Sequence, residues 1–211
     1  RNFARRARVR AVLFVGHYRL PHSLHACNGI LRLCRRGNLT LGRANPTETA
    51  DPAGARKNTQ DNTPAVVHIE MVKGDKVEVL LAAKGGGSEN KAKMAMLNPS
   101  DSIADWVEKT LPSMGAGWCP PGMLGIGIGG TVEKAAVMAK ESLMEPIDIS
   151  DLMLREKDAP ETLSADEKLR LEIMQRVNAL GIGAQGLGGL TTVLDVKIKS
   201  CPTHAASKPV V

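Results

Sequence analysis

A single cysteine stands among residues that restrict the backbone, in the segment 115–122 (GAGWCPPG). Two prolines follow Cys119 directly, and a second glycine-rich run, residues 125–130 (GIGIGG), begins soon afterwards. Proline fixes φ and glycine lets backbones approach closely, so this stretch favours a tight loop that leads into a closely packed strand. Two interpretations of Cys119 remain open: a ligand or nucleophile presented on a rigid loop, or a small buried residue.

The net charge of +6 is unevenly distributed along the 211 residues. Residues 1–50 hold ten arginines and one acid, Glu48, which gives +9, whereas residues 51–211 hold eighteen basic and twenty-one acidic residues, which gives −3. The basic character therefore predicts no nucleic-acid binding by the main part of the chain. We expect an atypical Arg-rich leader over residues 1–50 and a catalytic domain over residues 51–211.

The leader has no persistent helical or strand period, and three interpretations compete. Its arginines suit a transit peptide, although Ser23 is its only serine. His22, His25 and Cys27 are ligand types for a metal, without a standard spacing. The third interpretation is a poorly ordered or aberrant leader, so we expect these residues to be irregular.

Alternating apolar residues predict strands in the main part. Residues 65–72 and 77–81 alternate on either side of a turn at 73–76, which predicts a β-hairpin with one buried face. Residues 125–130 include a short apolar strand, and residues 190–198 form a stronger one, with Leu190 and Leu194 on its apolar side.

Capping patterns predict three helices. Asn98 before Pro99 predicts a helix that runs to about Leu111. Thr131 begins a second helix, and the capping box 164–167 begins a third, which ends at Gly181. Residues 145–163 are charged and contain two prolines, which predicts an irregular surface segment. Together these elements predict an α/β fold, with mixed β-sheets flanked by helices and glycine-rich loops forming the site.

The glycine-rich loops have three possible roles. Residues 125–130 and 181–186 both match G-x-G-x-x-G, but the second run lies between a helix and a strand, the reverse of a dinucleotide site, so nucleotide binding is a weak prediction. Some of these glycines are explained by tight packing alone. The third role is recognition of a small dicarboxylate by backbone N–H groups and nearby polar side chains. The candidates are Lys84, Gly85, Gly86, Gly87, Ser88, Thr203 and His204.

Seven segments, in this order, resemble the N-terminal catalytic region of class I fumarate hydratases and of the related tartrate dehydratase α chains. They are residues 56–66 (RKNTQDNTPAV), 83–91 (AKGGGSENK), 96–101 (MLNPSD), 115–130, 139–143 (AKESL), 180–190 (LGIGAQGLGGL) and 202–209 (PTHAASKP). The resemblance covers roughly residues 51–211. It is more specific for this superfamily than for fumarate over tartrate.

The resemblance implies a hydro-lyase that interconverts (S)-malate and fumarate on a [4Fe–4S] cluster. In the family, three cysteine thiolates hold the cluster, and the open iron acts as a Lewis acid on the substrate. The resemblance implies that Cys119 is one cluster ligand and that His204 is a catalytic residue that contacts the substrate. It also implies substrate binding by Gly85–Gly87. Lys84 and Thr203 are further substrate-binding candidates because of their residue types.

The family's other two cluster cysteines, in Cys-Gln-Asp-Thr-Gly and Asn-Cys-Ala-Ala-Thr-Arg-His motifs, have no match here. Since a cluster needs three or four thiolates, we expect a fragment that is inactive alone and lacks a C-terminal domain or a partner subunit. The resemblance implies a homodimer for the full-length family. We expect a cytoplasmic setting and neither nucleic-acid nor membrane binding. Two alternatives remain: a tartrate dehydratase α-type chain, and a non-enzymatic interaction module that uses its basic leader.

Overall fold

The computed structural model describes residues 7–15, 49–58, 66–73, 77–83 and 86–211. The chain divides into two compact units, residues 1–86 and 87–211. The three candidate metal ligands of the leader, His22, His25 and Cys27, lie outside the described residues. The predicted mixed α/β architecture is confirmed by the elements that follow. The expectation of an irregular leader is wrong at Ala7–Val15, which form a strand because two later strands pair with them.

The first unit contains a three-stranded sheet in the order β4-β1-β5. Strand β1 (Ala7–Val15) runs antiparallel to β4 (Val66–Lys73) and parallel to β5 (Val77–Ala83). The predicted hairpin is therefore wrong in its pairing, although both of its strands exist, because β1 lies between them. A short antiparallel pair, β2 (Thr49–Ala50) and β3 (Lys57–Asn58), completes the described part of this unit.

The second unit is built on a four-stranded sheet in the order β6-β9-β7-β8. These strands are β6 (Ala95–Leu97), β7 (Gly122–Gly129), β8 (Val193–Cys201) and β9 (Lys208–Val210). Strands β7 and β8 are parallel, with Gly122 opposite Val193 and Gly129 opposite Cys201. Strand β9 is antiparallel to β7 and β6. Since a parallel pair needs a long crossover, the helices between β7 and β8 supply it.

Five helices are described. They are α1 (Gly86–Glu89), α2 (Ile103–Thr110), α3 (Val132–Ser142), α4 (Ile149–Asp158) and α5 (Ala165–Ala179). Three short 3₁₀ segments span Leu111–Met114, Pro160–Thr162 and Ala184–Gly186. No helix in the described part of the chain has the length and apolar composition that a bilayer crossing needs.

The helix ends follow their capping residues, with one correction. Ser164 and Glu167 form the predicted capping box of α5, and Thr131 precedes α3 as predicted. Helix α2 begins later than predicted, because Ser102 is its N-cap and accepts from the backbone N–H of Asp105. Asn98 instead donates its backbone N–H to the Asp101 carboxylate at 2.8 Å, in a turn before the helix.

Helix α5 covers the outer edge of β8. The Asn178 side chain accepts from the backbone N–H groups of Thr192 and Val193 and donates to the Val193 carbonyl. Further along the strand, the Arg170 Nε donates to the Val196 carbonyl at 2.5 Å. These side chains satisfy backbone groups that an edge strand would leave open, so β8 is not a free edge at these positions.

The core of the second unit is aliphatic, as the low aromatic content of 2% requires. It packs α2, α4 and α5 against the sheet, with fully or nearly fully buried side chains from each layer. They include Val107, Leu111, Ile126, Leu152, Ile173, Val177, Val193, Val196 and Val210. This core fixes β7 and β8, and therefore the loops at either end of the two strands.

Candidate functional site

Cys119 lies on a loop that joins the 3₁₀ segment Leu111–Met114 to the start of β7. Its φ is +59°, a left-handed conformation that is uncommon for a residue with a side chain. Its backbone N–H donates to the Ala116 carbonyl at 2.9 Å, and its side chain is exposed. Of the two interpretations of Cys119, the structure therefore supports a presented thiol and not a buried core residue.

Helix α1 packs against one side of this loop through backbone contacts. A Cβ on Gly87 would lie 2.6 Å from the Gly117 carbonyl oxygen, so only glycine fits there. A Cβ on Gly117 would lie 2.7 Å from Cε of Lys91, which places the lysine stem against the loop. The segment around Gly87 and the Cys119 loop are therefore in direct contact.

The glycine-rich segment after α5 packs against the other side. The Gln185 backbone N–H donates to the Pro120 carbonyl at 2.7 Å. A Cβ on Gly186 would lie 3.0 Å from the Ala116 Cβ. Parts of three glycine-rich segments thus meet at the Cys119 loop. Beside the cysteine, the buried indole Nε1 of Trp118 has no hydrogen-bond partner among the described residues.

His204 lies on a loop between β8 and β9 that side-chain hydrogen bonds hold in place. The Thr203 hydroxyl donates to the Gly130 carbonyl at 2.8 Å and lies 3.2 Å from the Ser207 hydroxyl. Nδ1 of His204 accepts the backbone N–H of Ala206 at 3.1 Å, and the imidazole is exposed. Because the single hydroxyl proton of Thr203 goes to Gly130, this hydroxyl offers a ligand lone pairs and no proton.

The candidate residues from the sequence fall into separate places. Lys84 and Gly85 lie outside the described residues, and Gly86 is the exposed first residue of α1, in the first unit. Gly87 contacts the Cys119 loop, whereas Thr203 and His204 follow the far end of β8. Since β7 and β8 are parallel and β7 has eight residues, about 23 Å of strand separates the Cys119 end from the His204 end.

A buried charge network joins β8, α5 and the segment before α4. Asp195 and Lys197 on β8 are 0% and 1% exposed, and their charged groups are 3.0 Å apart. Arg170 bonds both Asp195 and Asp148, and Lys197 also bonds Asp148. The Arg170 guanidinium, with help from Lys197, holds the pKa of Asp148 well below its usual range against the opposing effect of burial. The i, i+2 spacing of Asp195 and Lys197 on one strand face was the sequence signal for this network.

The described residues do not supply a complete set of metal ligands. No group of three or more His, Cys, Asp or Glu side chains is placed to hold a metal among the residues that the structure describes. The second described cysteine, Cys201, ends β8 and has its Sγ beside Gly130, so it lies at the end opposite Cys119. One exposed thiol fits one ligand position of an iron–sulfur cluster, and the described donor set fits no more than that.

Comparisons with known proteins agree on one family. The family model described as fumarate hydratase (Fumerase) matches residues 27–211. A candidate L(+)-tartrate dehydratase subunit alpha of Methanocaldococcus jannaschii is 40% identical over 137 residues, which are 64% of this chain and 45% of that protein. The L(+)-tartrate dehydratase subunit alpha of Escherichia coli strain UTI89 is 31% identical over 168 residues, 78% of this chain and 52% of that protein.

The chain spans about half the length of the curated relatives it matches. The family match includes the Cys119 loop, the Thr203–Ser207 loop and the glycine-rich segment after α5. It also begins at residue 27, before the composition change near residue 51. On the extent of this match, the chain belongs to the fumarate hydratase (Fumerase) family.

Proposed function

We propose that this chain is the N-terminal catalytic part of a hydro-lyase that acts on a four-carbon hydroxy-dicarboxylate. In the forward reaction the carbon–hydroxyl bond and a C–H bond on the neighbouring carbon break, a carbon–carbon double bond forms, and water leaves. The pair (S)-malate and fumarate is the first candidate. Tartrate is the second, because both relatives described above carry the name of an L(+)-tartrate dehydratase α subunit.

The exposed thiol of Cys119 carries the proposal. A non-glycine residue with positive φ costs about 1 kcal/mol, so the fold keeps a strained cysteine where glycine would be easier to accommodate. Contacts with Gly87 and Gln185 hold the loop from two sides. This exposed position suits a thiolate that coordinates an external group. A cysteine that only packed in the core would be buried.

The external group we propose is a [4Fe–4S] cluster, with Cys119 as one ligand. The cluster would supply a Lewis acid for the departing hydroxide. The described residues do not complete its ligand set, so the remaining thiolates come from outside them. A partner subunit or a further domain is the proposed source, so we expect no turnover by this chain alone.

We propose that Lys84, Gly85, Gly86 and Gly87 bind one part of the substrate. We further propose that His204 recognises a carboxylate, while Thr203, whose hydroxyl proton goes to the Gly130 carbonyl, contributes by ordering the loop. A four-carbon dicarboxylate is far shorter than the roughly 23 Å of β7. In the described conformation, Cys119 and His204 of one chain therefore do not touch the same molecule. We accordingly assign the Thr203–His204 loop to a carboxylate subsite of its own.

Anaerobic cluster reconstitution of the 211-residue chain tests the proposal. With an added small thiol to fill the remaining ligand positions, we expect the iron bound per chain to fall sharply in Cys119→Ala and to stay unchanged in the matched control Cys201→Ala. We expect no dehydration of (S)-malate or L-tartrate by this chain alone. Unchanged iron binding in Cys119→Ala would remove Cys119 as a ligand. A stoichiometric cluster with turnover by the chain alone would refute the need for further ligands.

A further inference from the structure

The tautomer of His204 follows from its contact with the backbone. The Ala206 N–H donates to Nδ1 of His204 at 3.1 Å. A ring nitrogen that accepts a hydrogen bond carries no proton, so in the neutral imidazole the proton is on Nε2. The opposite ring orientation would set a carbon against the Ala206 N–H and leave that donor unpaired.

We propose that the Ala206 backbone N–H is a positioning group that holds His204 as the Nε2–H tautomer, so that His204 meets its ligand as a hydrogen-bond donor and not as a proton acceptor. The inference rests on the proposed role of His204 in carboxylate recognition. It assigns the chemistry of that contact: a carboxylate or hydroxyl oxygen with a free lone pair fits, and a group that must give up a proton does not.

The surrounding loop restricts the alternatives. The Thr203 hydroxyl proton is directed to the Gly130 carbonyl, and the Ser207 hydroxyl lies within 3.2 Å of both Thr203 Oγ1 and the His204 carbonyl. The Ser207 backbone N–H donates to the His204 carbonyl at 2.9 Å. These hydroxyl protons are engaged within the loop. Nε2–H of His204 is therefore the side-chain donor that the loop offers to an anionic oxygen.

Nitrogen NMR on the full ¹⁵N-labelled chain measures the tautomer directly. At about pH 8.5, where imidazoles are ordinarily neutral, two-bond ¹H–¹⁵N correlations distinguish the protonated from the unprotonated ring nitrogen. His204→Asn identifies the His204 signals among the five histidines. We expect the Nε2–H form to dominate and its excess over the Nδ1–H form to fall about fivefold in Ala206→Pro, which lacks the N–H. Ala206→Gly keeps the N–H and should leave the ratio unchanged.

Amide hydrogen exchange at Ala206 gives a second measurement if Ala206→Pro does not fold. Exchange should become about fivefold faster in His204→Leu, which has no acceptor, and stay slow in His204→Asn, whose side-chain oxygen can accept from the same N–H. A dominant Nδ1–H tautomer, or equal exchange in the wild-type chain and His204→Leu, overturns the proposal.

Titration with succinate separates this inference from the proposed function. A shift of the His204 Nε2 signal on addition of succinate supports both. If the Nε2–H tautomer and its dependence on Ala206 are found but succinate causes no shift, the positioning role stands and carboxylate recognition at His204 fails. If succinate shifts the signal of an Nδ1–H tautomer, the positioning role fails and recognition stands.

Discussion

The two ends of the β7–β8 strand pair hold their candidate residues in different ways. At the Cys119 end, backbone packing holds the loop through glycine contacts and backbone hydrogen bonds. Two residues there that carry side chains, Cys119 and Gln185, have positive φ. At the His204 end, side-chain hydrogen bonds fix the loop, and the positive φ angles nearby belong to Gly129 and Gly130. Of the two ends, the one that presents the Cys119 thiol therefore carries the backbone strain. The one that presents the His204 imidazole is held by side-chain hydrogen bonds.

A direct distance measurement tests the separation of the two ends of the strand pair. Spin labels at Cys119 and at a cysteine introduced by His204→Cys, with the other cysteines replaced by serine, should be about 20 Å or more apart. Double electron–electron resonance reads a long distance between the labels, and continuous-wave dipolar line broadening reads a short one. A distance near 10 Å would mean that the two ends form one site, and would remove the separate carboxylate subsite.

The stability of the middle of β8, between the two ends, depends on its buried charged side chains. Lys197→Met leaves the Asp195 carboxylate buried with one partner fewer, so we expect the free energy of unfolding to fall by about 4 kcal/mol. Lys199→Met is the matched control, because its partners Glu141 and Glu145 lie nearer the surface, and it should cost less than about 1 kcal/mol. Urea denaturation of the two variants compares them, and equal losses would contradict the assignment.

The glycines of β7 test the packing of the same span. A Cβ on Gly127 would lie 1.9 Å from the Ala135 carbonyl oxygen, so Gly127→Ala must push α3 away from the sheet and should cost about 3 kcal/mol. Gly181→Ala meets no atom within 4 Å and should cost only about 1 kcal/mol, from its positive φ. If thermal melts show the reverse order, close helix–strand packing does not explain the GIGIGG run.

Local patterns predicted much of the second unit, because capping and periodicity act within a few residues. The Ser164 capping box, the helix after Thr131 and the strand predicted within residues 125–130 are confirmed. The irregular surface segment at 145–163 is wrong, since α4 forms there and buries Ile149 and Leu152. The many charged residues of this segment gave no clear helical pattern. The helix is stabilised by packing against the core, which the local sequence does not show.

Long-range pairing was not predictable. Nothing local showed that β1 would separate β4 from β5. Leu190, just before β8, and Leu194, on β8, are 92% and 48% exposed. Asp195 and Lys197 on the same strand are buried, because the partners of these charges come from distant segments. The separation of Cys119 from His204 likewise follows from the parallel register of β7 and β8, which the motifs alone do not reveal.

Two substitutions of Cys119 test the backbone strain at this position. Cys119→Gly and Cys119→Ala both remove the thiol, but only glycine adopts φ of +59° without steric cost. We therefore expect Cys119→Gly to be more stable than Cys119→Ala by about 1 kcal/mol in urea denaturation. The pair cancels any contribution of the sulfur, so the difference reports the backbone alone. Equal stability would mean that the loop holds cysteine without strain, and the Cys119 end would then lose the property that distinguishes it from the His204 end.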